Sequence, residues 1–416
     1  MSLELLNRIK QTLEERKRKV ESGGVNGIPI PFKRFRTYLP VIEQKNIIIV
    51  TGATKSSKTQ FTNFVFVYNT VLYYYHNPEK IRAKIFFFPL EETKEAITLR
   101  FIAYLLFYIS KGKVIVSPKD LKSSDERYPV SQEILDMMNL DEFKAIFEIY
   151  EDIVIFCEDR NPTGIYKKMV TYAESHGKVI KRPQKFTEVD AFGNKTEKTE
   201  WVFDRYEPDD PDEYVFCIAD HLGLLSIETQ LGTLKATIEK LSDYFIQLRN
   251  KYHYICVGVQ QQNTETTNLE AYKSGKIRPT KDGLKDTKRT GEDCDMLIGL
   301  TNPHAFELPD YMGYPIKDAF KGNIRFAELV LYRGGEANNI CPLYFNGSIN
   351  QFEELPLPSE KDRIDKILEY IRNLRNNDSQ RANPILLIGN LKKTIKQLQK
   401  KKLFNMFATL FTNKFK

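Results

Sequence analysis

The chain has 416 residues, of which 41% are hydrophobic and 28% charged, a composition that excludes a wholly disordered protein. The net charge is +7, yet residues 379–416 carry nine Lys or Arg and no acid, so the remaining residues net −2. Five cysteines without a CxxC pair exclude a disulfide scaffold and a zinc module. The longest apolar stretch, 99–109, is too short to span a bilayer, and no signal peptide is recognisable. We therefore expect a soluble, cytoplasmic protein without membrane contact.

The first predicted element is a helix over residues 2–20. Its apolar residues recur at helical spacing, at Leu5, Leu6, Ile9 and Leu13. The Gly-rich run 21–27 ends the helix. A short helix before a flexible linker cannot bury its own apolar face, so we expect it to pack on another surface, such as a second subunit.

From residue 46 the chain alternates apolar runs with helical stretches. The runs lie at 46–50, 84–88, 153–157, 214–219 and 254–259, and the predicted helices near 58–76, 93–110, 162–176 and 229–251. Nearly continuous apolar runs are typical of parallel strands buried on both faces, so the pattern predicts an α/β fold with a mostly parallel central sheet flanked by helices. Later runs extend the sheet or form a hairpin, at 295–300, 326–332 and 341–345.

The remaining segments define the predicted organisation. Residues 178–213 interrupt the α/β pattern with polar, alternating stretches, which favours an inserted hairpin. Two further helices are predicted at 360–375 and 391–411. The expected parts are a linker helix (1–23), an α/β domain (24–357) and a basic helical C-terminal extension (358–416).

The most specific motif is a candidate phosphate-binding loop between an apolar run and a helix. It reads Gly52-Ala53-Thr54-Lys55-Ser56-Ser57-Lys58-Thr59. In such a loop, backbone N–H groups and the helix N-terminus surround the phosphates, Lys58 reaches the β- and γ-phosphates, and Thr59 binds Mg²⁺. The usual pattern, GxxxxGK[ST], has a second Gly where this chain has Ser57. A polar strand-to-helix turn with a chance Lys-Thr pair is the alternative.

Acidic residues follow two other apolar runs. Asp220 ends the run 214–219, where a P-loop enzyme holds Mg²⁺ through water; capping of the next helix is the alternative. Glu91 and Glu92 follow the run 84–88. Glu91 would activate a water molecule as general base, unless one or both are first-turn acids favoured by the dipole of the helix that follows.

From about residue 22 to 355, the chain resembles the C-terminal RecA-like ATPase domain of DnaB-type hexameric replicative helicases. Besides the P-loop, the matching motifs occur in the family's order at 27–32 (GIPIPF), 89–91 (PLE), 220–222 (DHL), 259–263 (VQQQN), 286–295 (DTKRTGEDCD) and the closing hairpin 327–352. The resemblance implies a RecA-like P-loop NTPase core that uses ATP and Mg²⁺. It also implies Asp220 on the metal, Glu91 as base and Gln261 as sensor of the γ-phosphate.

The chain departs from the family at the arginine that acts on the neighbouring subunit's ATP. After the hairpin strand the family has a Lys and, two positions on, this Arg; here those positions are Arg333 and Gly335. The hypothesis is that Arg333 takes over the role. The alternative is that Arg333 replaces only the Lys and that hydrolysis is weak. The helix that precedes the family's domain docks on the adjacent subunit, which is the role expected of residues 2–20.

The resemblance implies that DNA contacts come from loops facing the ring channel, which follow the strands ending at Asp220 and Gln261. The second of these loops is 264–285. It carries five cations among Gly, Ser, Thr and Asn, namely Lys273, Lys276, Arg278, Lys281 and Lys285. Such a loop suits non-specific contacts to the phosphate backbone of single-stranded DNA. A solvated surface loop is the alternative.

The motifs, together with what the resemblance implies, predict a ring-forming ATPase, a homohexamer that translocates on single-stranded DNA and unwinds duplex. Replisome proteins, such as a primase, a loader or a polymerase, are the expected partners. The Lys-, Asn- and Phe-rich composition favours a bacteriophage origin, hence the host cytoplasm. Two other interpretations stay open: a RecA-like DNA-binding ATPase that does not unwind, and a structural or cargo protein that retains the fold with weak catalysis.

Overall fold

The computed structural model describes residues 3–124, 129–189, 195–263 and 277–379, so the helix predicted at 391–411 lies outside the described residues. The strands are β1 Ile28–Pro29, β2 Val41–Ile42, β3 Asn46–Gly52, β4 Arg82–Pro89, β5 Val154–Phe156, β6 Gly177–Val189, β7 Lys195–Pro208, β8 Glu213–Asp220, β9 Ile255–Gln261, β10 Met296–Thr301, β11 Asp310–Tyr311, β12 Tyr314–Pro315, β13 Ile324–Tyr332, β14 Asn339–Asn346 and β15 Gln351–Glu354.

The helices are α1 Glu4–Glu21, α2 Lys33–Tyr38, α3 Lys58–Thr62, α4 Asn69–His76, α5 Lys94–Ile109, α6 Pro118–Leu121, α7 Gln132–Met138, α8 Asp141–Ile153, α9 Pro162–Ser175, α10 Leu234–Tyr252, α11 Arg289–Asp293 and α12 Lys361–Ser379. A π-helical turn, Asn63–Tyr68, joins α3 to α4, so residues 58–76 form one continuous helix. No helix in the described ranges is long and apolar enough to cross a bilayer.

Nine strands form the central sheet, in the order β15-β14-β13-β10-β3-β9-β8-β4-β5. The six strands from β10 to β5 in this order run parallel. The other three, β13, β14 and β15, add an antiparallel meander beside β10. This mostly parallel sheet flanked by helices confirms the predicted fold class.

Both faces of the sheet are buried. Side chains alternate along a strand, so neighbouring residues of β3 point to opposite faces. Ile48 and Val50 belong to the core cluster that contains residues of α4, α5 and α8, whereas Ile47 and Ile49 belong to the cluster formed with α9 and α10. This double burial explains why the strand has a continuous apolar sequence.

The two edges of the parallel sheet have different residues. The carboxyl edge, where parallel strands end, brings together the last residues of β3, β4, β8 and β9; Pro89 pairs with Asp220, and Gly52 with Gln261. The opposite, amino edge also receives the end of the antiparallel strand β13, because Tyr332 pairs with Met296, the first residue of β10. The first residues of β13 therefore lie at the carboxyl edge.

The predicted insertion is a long antiparallel hairpin formed by β6 and β7. Phe203 packs its ring against Tyr252 of α10, with 6.3 Å between the ring centroids. Trp201, the single tryptophan of the chain, lies two residues earlier in β7 and is 64% exposed. The hairpin therefore contacts the body of the domain at Phe203, and it exposes a large aromatic side chain to solvent at Trp201.

Peripheral helices flank this core. On α1, Leu6, Ile9 and Leu13 are exposed. On α12, three apolar residues pack into a cluster with Tyr314 and Phe320, namely Ile364, Leu368 and Ile371. The helices α6 to α8 and the β11–β12 ribbon are additions that the sequence analysis did not predict.

Candidate functional site

The candidate P-loop, residues 52–59, joins β3 to the helix that begins at Lys58. Gly52 is required at its start, because a Cβ there would lie 2.4 Å from the Leu300 carbonyl oxygen and 2.5 Å from Ser56 Oγ. Ser56 Oγ is itself buried, without a hydrogen-bond partner among the described residues. An orphaned hydroxyl inside a glycine-anchored loop fits a loop that is completed by a polar ligand.

Lys58 is buried at the mouth of this loop, and its Nζ donates to the Ala53 carbonyl at 2.9 Å. Burial lowers the pKa of Lys58 to about 8, while Asp220 and Glu91 act in the opposite direction. A phosphate beside this ammonium would stabilise its charged form.

Two non-glycine residues of the loop have left-handed backbone conformations. Lys55 has φ +64° and Ser57 has φ +70°. At the second position glycine would adopt this conformation without steric cost, whereas a residue with a Cβ is strained there. The chain thus keeps the loop geometry in spite of Ser57 and carries strain at that residue.

Asp220 lies at the end of β8, 3% exposed, and its Oδ1 accepts a hydrogen bond from Thr59 Oγ1 at 3.2 Å. Burial raises the pKa of Asp220 to about 7; the bond from Thr59 opposes this rise, and Glu91 adds to it. A divalent cation beside the pair would favour the ionised carboxylate.

The Asp220 and Thr59 oxygens fit Mg²⁺, which binds few protein ligands and takes the others from phosphate and water. Among the described residues, no group of three or more His, Cys, Asp or Glu could hold a metal ion. The donor set therefore suits a metal ion that arrives with a nucleotide.

Glu91 and Glu92 have different environments. Arg100 forks onto Glu92: its Nη2 donates to Oε1 at 2.6 Å, and its Nη1 donates to Oε2. Glu91 is exposed, and within the described part of the chain no hydrogen bond ties its carboxylate. Neither residue is in the first turn of α5, because that helix begins at Lys94 with Thr93 as its N-cap. The dipole alternative therefore does not account for these two acids.

Gln261 ends β9 beside Gly52. The amides of the two flanking residues are committed to structure: Gln262 Nε2 donates to Thr51 Oγ1 at 3.0 Å, and Gln260 Nε2 donates to the Thr287 carbonyl at 2.9 Å. Gln261 points to the other face of the strand and is half-buried. Of the three consecutive glutamines, it is the one available for a ligand.

Arg333 is exposed and follows β13. Its backbone N–H donates to the Asp295 carbonyl at 2.9 Å, and its guanidinium donates to the Glu292 carbonyl. Asp295 directly precedes β10, so Arg333 lies at the amino edge of the sheet. The P-loop of the same chain lies at the carboxyl edge, so the two are on opposite sides of the domain.

The five cations of the predicted DNA loop are distributed unevenly. Lys273 and Lys276 lie outside the described residues. Arg278 forms an ion pair with the buried Glu328, to whose Oε2 its Nε donates at 2.9 Å. Lys285 is exposed and Lys281 half-buried. Part of the Arg278 guanidinium is therefore already occupied within the chain.

Sequence reasoning missed two residues that contact the P-loop. Asn302 follows β10 and its Nδ2 donates to the Lys55 carbonyl at 3.0 Å. Arg325, the second residue of β13, donates from Nε to Ser57 Oγ at 3.1 Å. A polar residue at the end of an apolar run was a readable signal for Asn302. The position of Arg325 depends on the antiparallel direction of β13, which the sequence does not reveal.

No protein-family model matches the chain, and no curated protein matches it. Among solved structures, a DnaB-like replicative helicase, described with its interactions with primase, matches with a TM-score of 0.56 at 13% identity. The match covers 85% of this chain and 66% of the helicase chain. The RadB recombinase matches with a TM-score of 0.39 at 10% identity, over 79% of this chain and 100% of that one. The chain has the RecA-like fold seen in the DnaB-like helicase, which confirms the resemblance at the level of the fold.

Proposed function

We propose that this protein is an ATP-dependent DNA helicase that assembles as a ring, a homohexamer, around single-stranded DNA. The observation that carries the proposal is the convergence of four chemically suited groups at one edge of the sheet: the P-loop with Lys58, the Thr59–Asp220 pair, the unpaired Glu91 and the half-buried Gln261. Together they supply phosphate binding, metal binding, a general base and a γ-phosphate contact.

In the proposed reaction the P-loop backbone and Lys58 hold the β- and γ-phosphates of ATP. Thr59 and Asp220 would hold Mg²⁺, which would neutralise charge on the phosphates. Glu91 accepts a proton from the water that attacks the γ-phosphorus, while the bond from that phosphorus to the bridging oxygen breaks and ADP leaves. Gln261 contacts the γ-phosphate. Glu92 serves this site indirectly, since its ion pair with Arg100 fixes the chain beside Glu91.

Two features favour a ring over a monomer. An arginine at the amino edge can reach only the P-loop of another molecule, and Arg333 occupies that edge. The exposed apolar residues Leu6, Ile9 and Leu13 of α1 give each chain a surface to dock on its neighbour. We therefore propose that the ATP site lies between subunits and is completed in trans.

Single-stranded DNA is the proposed track. Lys281 and Lys285 lie in the segment that returns from β9, next to the catalytic edge. Cations at that place would follow a phosphate backbone without reading its sequence. Replisome proteins are the proposed protein partners, because the DnaB-like structure was described with primase.

The test is steady-state ATP hydrolysis with and without single-stranded DNA, followed by unwinding of a forked duplex. Lys58→Ala should abolish hydrolysis in a protein that stays folded, because the ammonium on the β- and γ-phosphates is lost. Lys94→Ala, a neighbouring lysine outside the P-loop, is the matched control and should retain turnover. Normal turnover of folded Lys58→Ala would refute the proposed site.

A DNA-binding ATPase without unwinding activity is the second candidate. DNA-stimulated hydrolysis without strand separation on the forked duplex would select this function. A structural protein that retains the fold is the third candidate, and Ser57 and Gly335 favour it because both depart from the family's motifs. The absence of any hydrolysis would select this third function.

A further inference from the structure

Arg325 is a buried cation that does not take part in the proposed chemistry. It is 6% exposed, and its Cζ lies 4.7 Å from the centre of the Phe345 ring. Within the described ranges no carboxylate pairs with it, and burial lowers its pKa to about 10. Burying a guanidinium without a counter-ion costs free energy. We therefore expect its hydrogen bonds to stabilise the fold or the site.

Those hydrogen bonds go to neutral acceptors beside the P-loop. Nε donates to Ser57 Oγ at 3.1 Å. Nη1 donates to Asn302 Oδ1 at 3.3 Å and to the carbonyls of Gly322 and Ile324 at 2.9 Å and 2.7 Å. The guanidinium thus joins the P-loop to the end of β10 and to the turn that starts β13.

The two contact points on the P-loop are its two strained residues. Asn302, itself held by Arg325, donates to the carbonyl of Lys55, and Arg325 donates directly to the side chain of Ser57. Lys55 and Ser57 are the two non-glycine residues of the loop with positive φ. The network therefore contacts the two loop residues whose left-handed backbone conformation is destabilised by a Cβ.

We propose that Arg325 is a positioning residue for the P-loop, which holds Ser57 in the left-handed conformation that a glycine would adopt without help. This inference rests on the proposed nucleotide site and deepens it, since it explains how a loop without its second glycine is kept ready for phosphate. Arg325 acts through Ser57 Oγ and Asn302, and it does not touch the nucleotide.

Substitutions at Ser57 separate strain from support. Ser57→Ala keeps the Cβ and loses the acceptor, so it should bind Mg-ADP about ten-fold more weakly than the wild-type protein. That factor is expected if only about a tenth of the molecules have the loop in its binding conformation. Ser57→Gly loses the same hydrogen bond but also the strain, and should bind more tightly than Ser57→Ala by at least that factor. Equal affinities of the two variants would overturn the proposal.

Substitution of the arginine completes a double-mutant cycle, measured by calorimetry with Mg-ADP. Arg325→Met should weaken binding about ten-fold when Ser57 is present and less than two-fold relative to a Ser57→Gly parent, because a glycine needs no support. Arg34→Met removes a different arginine, which is partly buried and tied to Glu354 and the Leu355 carbonyl, and should show no such coupling. An equal loss in both backgrounds would mean that Arg325 acts independently of Ser57 and would overturn the inference.

Backbone amide exchange of peptides covering residues 52–60 gives a readout without nucleotide. Arg325→Met should speed exchange there in the Ser57 background and not in the Ser57→Gly background. Unchanged exchange in both would overturn the inference even if the protein never binds ATP. Failure of the wild-type protein to bind Mg-ADP would instead refute the proposed function, so the two failures are distinguishable.

Discussion

At the residue scale, we predict different roles for the two adjacent glutamates that follow β4, Glu91 and Glu92. Glu91→Gln should still bind ATP but hydrolyse it about 10²-fold or more slowly, the usual scale for loss of a general base. Single-turnover hydrolysis and nucleotide binding, measured on the same preparation, separate the two effects. Glu91 has this role in the prediction because its carboxylate is unpaired within the described chain, whereas Arg100 holds Glu92.

Glu92→Gln is the matched control, with a different expected defect. It should retain most of the hydrolysis rate and lose about 1 kcal/mol of unfolding free energy, the scale expected when a half-buried ion pair is broken. Urea denaturation measures this loss. A larger loss of hydrolysis in Glu92→Gln than in Glu91→Gln would mean that the catalytic role belongs one residue later.

The residues at strand ends were readable from the sequence because an acidic or amide residue directly after an apolar run must lie at the carboxyl edge of a parallel sheet. Asp220 and Glu91 were identified in this way, whereas Gln261 was assigned through the family resemblance, because three glutamines follow the run 254–259. The structure brings all three residues to one edge. Arg325 has no such signal, since it lies immediately before the apolar run 326–332 and not after a run. Its contact with Ser57 follows only from the antiparallel pairing of β13 with β10.

At the scale of elements, the residue that caps the end of α10 is a histidine with a lowered pKa. His253 caps the helix with φ +65°, and its carbonyl accepts from the Lys45 N–H at 3.1 Å. Burial, assisted by the charge of Lys45, lowers the pKa of His253 from 6.5 to about 4. The folded state therefore binds fewer protons than the unfolded state between these pH values, so stability rises with pH across that window.

Stability should accordingly be lost as the pH falls from about 6.5 toward 4, and His253→Asn should flatten part of this acid limb. Asparagine tolerates the left-handed conformation and does not titrate. Urea midpoints at several pH values measure the effect, with His304→Asn, an exposed histidine, as control. An acid limb of unchanged steepness in His253→Asn would show that other groups, such as the buried His221, account for it.

Most elements with strong patterns were predicted, with one exception. The helix over 58–76 and the hairpin of β6 and β7 were expected from apolar periodicity and from alternation. The helix α8 was missed although its buried residues follow helical spacing, at Phe143, Ile146, Tyr150 and Ile153. It leads directly into the short strand β5, so one apolar stretch contains parts of two elements.

At the scale of the whole molecule, the two edges of the sheet make a prediction about assembly. Arg333→Ala should lower hydrolysis by about 10³–10⁵, the usual worth of an arginine that acts on the γ-phosphate from a neighbouring subunit. The variant should still bind nucleotide, because its own P-loop lies at the other edge. Steady-state hydrolysis of the purified variant checks the first part, and calorimetry checks the second.

A mixing experiment tests whether this arginine acts in trans. Arg333→Ala subunits and Lys58→Ala subunits should each be inactive alone. Mixed assemblies contain some interfaces that pair an intact P-loop with an intact Arg333, so part of the activity should return. Wild-type hydrolysis by Arg333→Ala alone would contradict the trans role and favour the alternative in which Arg333 only replaces the family's lysine.

The exposed Trp201 has a practical consequence for spectroscopy. Because it is the single tryptophan and is 64% exposed on the hairpin of β6 and β7, its fluorescence reports the surroundings of the hairpin and almost nothing of the core. In the folded protein, the emission spectrum of Trp201 should already resemble that of indole in water. Denaturation of the nine-stranded sheet should therefore shift its emission maximum little. Conversely, a blue shift of this emission on addition of another macromolecule would show that the hairpin itself has been covered. Trp201 thus serves as a fluorescent label that needs no chemical modification.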